Sequence, residues 1–161
     1  MPPASIAYND VSTVLWEERE LLDGLAFTLE MQRLVLLPGH DRWVARVCRE
    51  VELSLDRLRP AQLARTVHVR HLADQLGFDD SPSLRVIAEV AEEPWNDIFS
   101  SHRRAFLELS GEIHRLAEQN REWLAKSQAS SVAASTRLFA GSSGDTDRES
   151  RPVQRLPGED G

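Results

Sequence analysis

His68 and His71 lie three residues apart, a spacing that puts two imidazoles on one helical face and within reach of a shared metal ion. A firm site needs more ligands. Neither Cys48 nor any pairing of His40, His102 and His114 supplies a second set at comparable spacing. None of the five histidines follows a glutamate by three residues, the pattern through which di-iron helical bundles hold their metals. No metal or other cofactor is expected.

Covalent and acid-base chemistry are equally hard to assemble. Cys48, the single cysteine, sits between Val47 and Val51 on an apolar face, where a small buried residue is expected. It has no plausible histidine base, and the chain has neither a Gly-rich phosphate loop nor a Gly-x-Ser-x-Gly turn. Glu18 projects into a leucine stripe formed by Leu15, Leu22 and Leu25, without an acidic partner for proton transfer. A buried carboxylate there calls for a structural ion pair with an arginine, or for solvent at the end of the element. The acidic runs Glu17 to Glu20 and Glu92 to Glu93 are solvated faces and helix ends. An enzyme is not expected.

The elements that must position these residues are helices. From Trp95 to Leu124 the apolar residues alternate three- and four-residue steps: Trp95, Ile98, Phe99, Ala105, Phe106, Leu109, Ile113, Leu116, Trp123 and Leu124. A helix from Trp95 to about Ala125 would be about 46 Å long and carry one apolar stripe that it cannot bury against itself. His102 and Asn120 fall in that stripe as ligand contacts or, more commonly for lone polar residues in a seam, as register-setting groups.

Upstream, Ser12 is a plausible N-cap for a helix from Thr13 to Leu37 whose main face is Val14, Leu15, Leu21, Leu22, Leu25, Leu29 and Leu36. Pro38-Gly39 stops it, and Asp41 can cap a second helix with the face Val44, Val47, Cys48, Val51, Leu55 and Leu58. So short a turn predicts an antiparallel hairpin. Pro60 is expected to kink the second helix rather than end it, re-aiming Leu63 and Val67, which project off the stripe, before Leu72 and Leu76 return to it. Gly77 has the place of a C-terminal cap, Ser81-Pro82 opens a short helix through Leu84, Ile87, Ala88 and Ala91, and Pro94 ends or bends it.

Trp16, Phe27 and Leu34 project within about 20° of one another, away from the main face of the first helix. Either the helix is buried on two sides in a three- or four-helix core, or the three residues form a secondary partner surface.

The predicted fold class is all-α: an antiparallel helical hairpin or bundle with a long C-terminal helix, flexible at residues 1–10 and folded over 11–126. Residues 127–161 are rich in Ser, Ala and Gly and are expected to be disordered. The 161 residues are 41% hydrophobic and 28% charged, enough for one modest core. The net charge of −7 argues against nucleic acid as a partner. A single cysteine excludes an intramolecular disulfide. With no leader pattern in Met1–Asp10 and no run of about 18 apolar residues, a cytoplasmic protein without membrane insertion is expected.

Three segments carry a family likeness when taken together. They are Leu15-Trp16-Glu17-Glu18-Arg19-Glu20-Leu21-Leu22, then Trp43-Val44-Ala45-Arg46, then Pro94-Trp95 through Asn120-Arg121-Glu122-Trp123-Leu124. In order and spacing they resemble FlgN-type flagellar export chaperones of the actinobacterial kind. The resemblance covers Val11 to Lys126. It implies a small cytoplasmic chaperone that binds hook-filament junction proteins (hook-associated proteins) and delivers them to the flagellar type III export gate. In that family the C-terminal helical region grips a helix of the client, which places Leu109, Ile113, Leu116, Asn120, Trp123 and Leu124 at the contact. The alternative is a self-associating helical scaffold, such as a homodimer closed by the same stripe, with no secreted client.

Overall fold

A computed structural model of the chain describes the backbone of residues 3–142 and the side chains of residues 5–133. It contains four α-helices: α1 (Pro3–Val35), α2 (Val44–Leu76), α3 (Leu84–Val90) and α4 (Trp95–Ser142). A 3-10 turn, Asp41–Trp43, leads into α2. The chain divides into two units, Met1–Trp123 and Leu124–Gly161.

In the first unit, α1 and α2 form the expected antiparallel hairpin. Gln32 Nε2 donates to Cys48 Sγ at 3.4 Å near the turn, Thr28 meets Ser54 at 3.4 Å, and Arg65 reaches Glu18 at 3.1 Å, so the numbers run in opposite directions. α4 runs parallel to α1. Ser12 pairs with His102 at 3.1 Å, and Asn120 Nδ2 donates to the Leu29 carbonyl at 2.8 Å. α2 returns the chain to the start of α1, and the segment containing α3 turns it there into α4, which lets the final helix share the direction of the first.

Two apolar clusters hold this arrangement. One joins Ala7, Tyr8, Val11 and Leu15 of α1 to Leu72, Ile87, Ala91 and Phe99. Tyr8 lies 5.6 Å from the ring of Phe99 and 5.8 Å from that of Trp95, centroid to centroid, and the tilted pairs suit aromatic quadrupoles. The other gathers Leu25, Leu29, Leu58 and Leu116, one or two from each long helix.

α1 starts earlier than the expected cap at Ser12. Residues 3–10 are helical, and Ser12 lies inside α1 rather than at its cap, because Ala7, Tyr8 and Val11 extend the apolar face one further turn and a half into the core. Pro3 stands at the first helical position, where its missing N–H costs nothing. The other helix starts shift slightly. Asp41 makes no side-chain cap and belongs to the 3-10 turn, and the cap of α3 is Ser83, whose hydroxyl accepts from the Val86 amide at 3.4 Å. Gly77 ends α2 as expected, in the left-handed region at φ 77°, with the Phe78 amide donating to the Ala73 carbonyl at 2.9 Å.

α2 runs unbroken through Pro60. Pro60 is exposed, so the backbone group it leaves without a partner faces water. Leu63 and Val67 are not re-aimed into the core but stay 66% and 59% exposed. α4 continues past the expected end near Ala125 to Ser142. No proline interrupts this stretch, and the Ser130 and Ser131 hydroxyls donate back to the Lys126 and Ser127 carbonyls at 3.0 and 3.1 Å. Of the expected tail 127–161, residues 127–142 are described as helix, and residues 143–161 lie outside the described residues. No helix among the described residues is long and apolar enough to cross a membrane.

Candidate functional site

The six positions singled out on α4 separate into an inner and an outer set. Leu116 is fully buried against Leu25, Leu29 and Leu58. Asn120 is 1% exposed and donates both to the Leu29 carbonyl, at 2.8 Å, and to Gln32 Oε1, at 2.9 Å. These two residues fasten α4 to α1 and offer no free surface in this arrangement. Ile113 is half-buried, packed against the same cluster with one side open. Leu109 is half-buried on the other flank, beside Trp16.

Trp123 continues the buried stripe of Leu116 and Asn120, yet it is 44% exposed. The cause lies in α1, which ends at Val35, three residues beyond the Gln32 that receives Asn120. Leu124 is half-buried and belongs to the C-terminal unit.

His102, the other polar group of the seam, is 1% exposed. Arg19 Nη1 can only donate, and it approaches His102 Nδ1 at 3.4 Å, so Nδ1 presents its lone pair. The ring proton then lies on Nε2 and is donated to Ser12 Oγ at 3.1 Å. Burial, and secondarily the Arg19 charge, holds the imidazole pKa down to about 4. His102 is a neutral tie between α1 and α4, which resolves the choice between register and ligand contact toward register.

Trp16, Phe27 and Leu34 are not buried on two sides. They are 53%, 64% and 40% exposed along the outer side of α1. Trp16 meets the His102 ring edge-on at 5.1 Å and carries the Arg19 guanidinium over its face at 4.2 Å.

Between α2 and α4, with α1 as its floor, lies an open apolar groove of about 540 Å³. Leu22 and Leu25 line the floor, Leu55 and Leu58 one wall, Phe106, Leu107 and Ile113 the other, and Leu84 of α3 closes one end. Leu55 belongs to the expected core face of α2 but is 43% exposed, because α4 does not come close enough to cover it. Leu107, off the stripe of α4, is 60% exposed at the opposite rim. Neither residue stands out from periodicity alone; the spacing between three helices makes them neighbours.

Glu18 lies at the base of this groove, 1% exposed. The expected ion pair is present: Arg65 Nη1 stands 3.1 Å from Glu18 Oε2. The approach is not aligned for a hydrogen bond, however, and Oε2 accepts none among the described residues. Burial pushes the Glu18 carboxyl pKa up, against the smaller opposing effect of Arg65.

Cys48 is only half-buried, with its sulfur accepting from Gln32. His71 pairs with Gln75 at 3.0 Å, and among the described residues no group of three His, Cys, Asp or Glu side chains is placed to hold a metal ion. The fold leaves apolar surface uncovered along α4.

No curated protein and no solved structure matches the chain. A family model described as FlgN protein matches residues 1–144, a span that takes in all of α1, α2, α3 and α4. The chain belongs to the FlgN family of flagellar export chaperones.

Proposed function

We propose that this chaperone acts in the cytoplasm, binds hook-filament junction (hook-associated) proteins through accessible apolar positions of α4, and delivers them to the flagellar export gate. In the first unit these positions are Leu109, Ile113 and Trp123; Leu124 is a separate contact in the C-terminal unit. Leu116 and Asn120 act indirectly, by fixing α4 against α1. Trp16, Phe27 and Leu34 form a secondary partner surface on the other side of α1.

The observation that carries this reading is the apolar surface left uncovered on α4, Ile113 in the open groove and Trp123 at 44% exposure among it, in a member of a chaperone family. A junction subunit awaiting assembly has an amphipathic helix without its final partner, and a preformed apolar trough supplies a substitute. Each large side chain fully buried contributes about 1.5 to 3 kcal/mol, so three or four offset the cost of association and leave roughly micromolar binding. Such affinity protects a client and still releases it.

The test is light scattering after size exclusion, on the chain alone and co-expressed with the junction proteins of its host. A stable heterocomplex is expected. A homodimer that persists unchanged when those proteins are present would refute the chaperone reading in favour of a self-associating scaffold.

A further inference from the structure

Arg85 of α3 and Arg103 and Arg104 of α4 line one crevice of about 330 Å³ between the two helices, with Ser100 and Leu107 on the same face of α4. Among the described residues the acid in that lining is Glu89, which stands 3.7 Å from Arg85 in a long, solvent-exposed pairing. Arg103 and Arg104 make no ion pair with any described residue. Arginines that serve only solubility are interleaved with acids, as Arg70 is with Asp74 and Arg121 with Glu118 on the same helices or their neighbours. In a chain of net charge −7, three guanidinium groups around one crevice reverse the local sign.

Chemistry and size limit the occupant. A guanidinium presents a planar fork of N–H donors that matches a carboxylate with two parallel hydrogen bonds, and it has nothing to accept with. Leu107, 60% exposed at the edge, adds an apolar contact that a bare anion would not use. Along α4 the lining runs from Ser100 to Leu107, about 10 Å at 1.5 Å per residue. About three residues of extended chain cover that length. Arg103 and Leu107 also line the apolar groove between α2 and α4, so the two cavities meet at these residues, and a chain leaving the groove over Leu107 passes directly into the crevice.

We infer that the crevice between α3 and α4 captures a short acidic segment of the client, its Asp or Glu carboxylates held by Arg85, Arg103 and Arg104 and a neighbouring apolar side chain resting on Leu107. The inference rests on the chaperone reading and adds to it a charge-based specificity element, separate from the apolar contacts on α4. On a surface of negative net charge an acidic segment is repelled in general and attracted here, which fixes where it docks and in which register. Arg103 stands where crevice and groove meet, so Arg85 and Arg104 are the residues that report on the crevice alone.

The experiment measures affinity of the full chain for a purified hook-filament junction protein of its host, by titration calorimetry in about 50 mM and about 500 mM salt. In low salt, Arg104→Glu is expected to weaken binding about tenfold and Arg85→Gln about threefold, and both differences should shrink in high salt, where exposed charges are screened. Arg104→Lys keeps the charge without the fork and should fall between Arg104→Glu and the wild type. Arg57→Glu changes the net charge as much as Arg104→Glu does, at an exposed position of α2 outside the crevice, and is expected to bind as the wild type does. All these side chains are exposed, and an unchanged melting temperature checks that each variant is folded. Wild-type affinity in Arg104→Glu and Arg85→Gln, or an equal loss in Arg57→Glu, overturns the crevice and leaves the chaperone reading in place. A loss undiminished in high salt overturns capture by charge. A dimer of the chain alone that Arg104→Glu dissociates makes the occupant a second copy and overturns capture of the client. Failure of the wild-type chain to bind any junction protein overturns the chaperone reading, and this inference with it.

Discussion

Replacing His102 by Gln tests the polar seam between α1 and α4 quantitatively. In the folded protein the ring is buried, donates from Nε2 to Ser12, and faces the Arg19 guanidinium with Nδ1, so adding a proton there is opposed both by burial and by a neighbouring positive charge. The folded pKa is about 4, against about 6.5 for the unfolded chain. Above pH of about 6.5 both states are neutral and the contribution is complete; as pH falls toward 4, the unfolded state takes up a proton that the folded state refuses, and stability is lost. The linkage relation gives a loss of about 2 kcal/mol between about pH 7.5 and about pH 5, rising to about 3 kcal/mol at still lower pH. Glu18 titrates in the opposite sense. Its raised pKa contributes stability at acid pH that disappears as pH rises through the folded value, and it is present in both proteins. The assay is therefore a difference: urea unfolding followed by circular dichroism, wild type and His102→Gln, at both pH values and one protein concentration. Glutamine can still donate to Ser12 but does not titrate. The stability advantage of the wild type should shrink by about 2 kcal/mol on going to about pH 5. An advantage of the same size at both pH values would refute the assignment of a buried, neutral His102.

Further outcomes follow from the same geometry. Asn120→Leu removes the donor to both the Leu29 carbonyl and Gln32 Oε1, and should cost about 1 to 3 kcal/mol in urea unfolding, because the buried Gln32 amide loses its partner; a change within a few tenths would mean that the seam is not closed in solution. Truncation after Ser127 should lower the far-ultraviolet helix signal by the 128–142 stretch and leave the melting temperature unchanged, since the described side chains of that stretch are exposed; a clear fall in melting temperature would show that the stretch packs. Trp123→Ala should weaken junction-protein binding, measured by titration calorimetry, more than Trp16→Ala does. Equal losses would move the client contact toward the outer side of α1.

Much of the site's framework was legible from spacing. The helical hairpin, the left-handed cap at Gly77, the long final helix and the polar interruptions at His102 and Asn120 all follow from local rules of period, cap and turn. The likeness of three short segments to the FlgN family pointed to the same family that the match over residues 1–144 shows. Failures occurred where the local signal was thin. Ala7 and Tyr8 looked like a loose lead-in because Pro3 and the small residues around it are weak helix markers, yet the core behind them decides the matter. Leu55 looked like core, and Leu107 lies off the stripe of α4, yet both line the groove.

The sequence by itself determined which residues form helices and which face of each is apolar, because both depend on neighbours three or four positions away. Only the tertiary structure decided which apolar residues remain uncovered. A stripe of leucines has the same pattern whether the next helix lies against it or stands slightly off, so Leu116 disappeared into the core while Leu55 and Leu107 were left at an open rim. The same held for charge. Glu18 was visibly out of place in its stripe, but which arginine would pair with it depended on Arg65 arriving from α2, far along the chain.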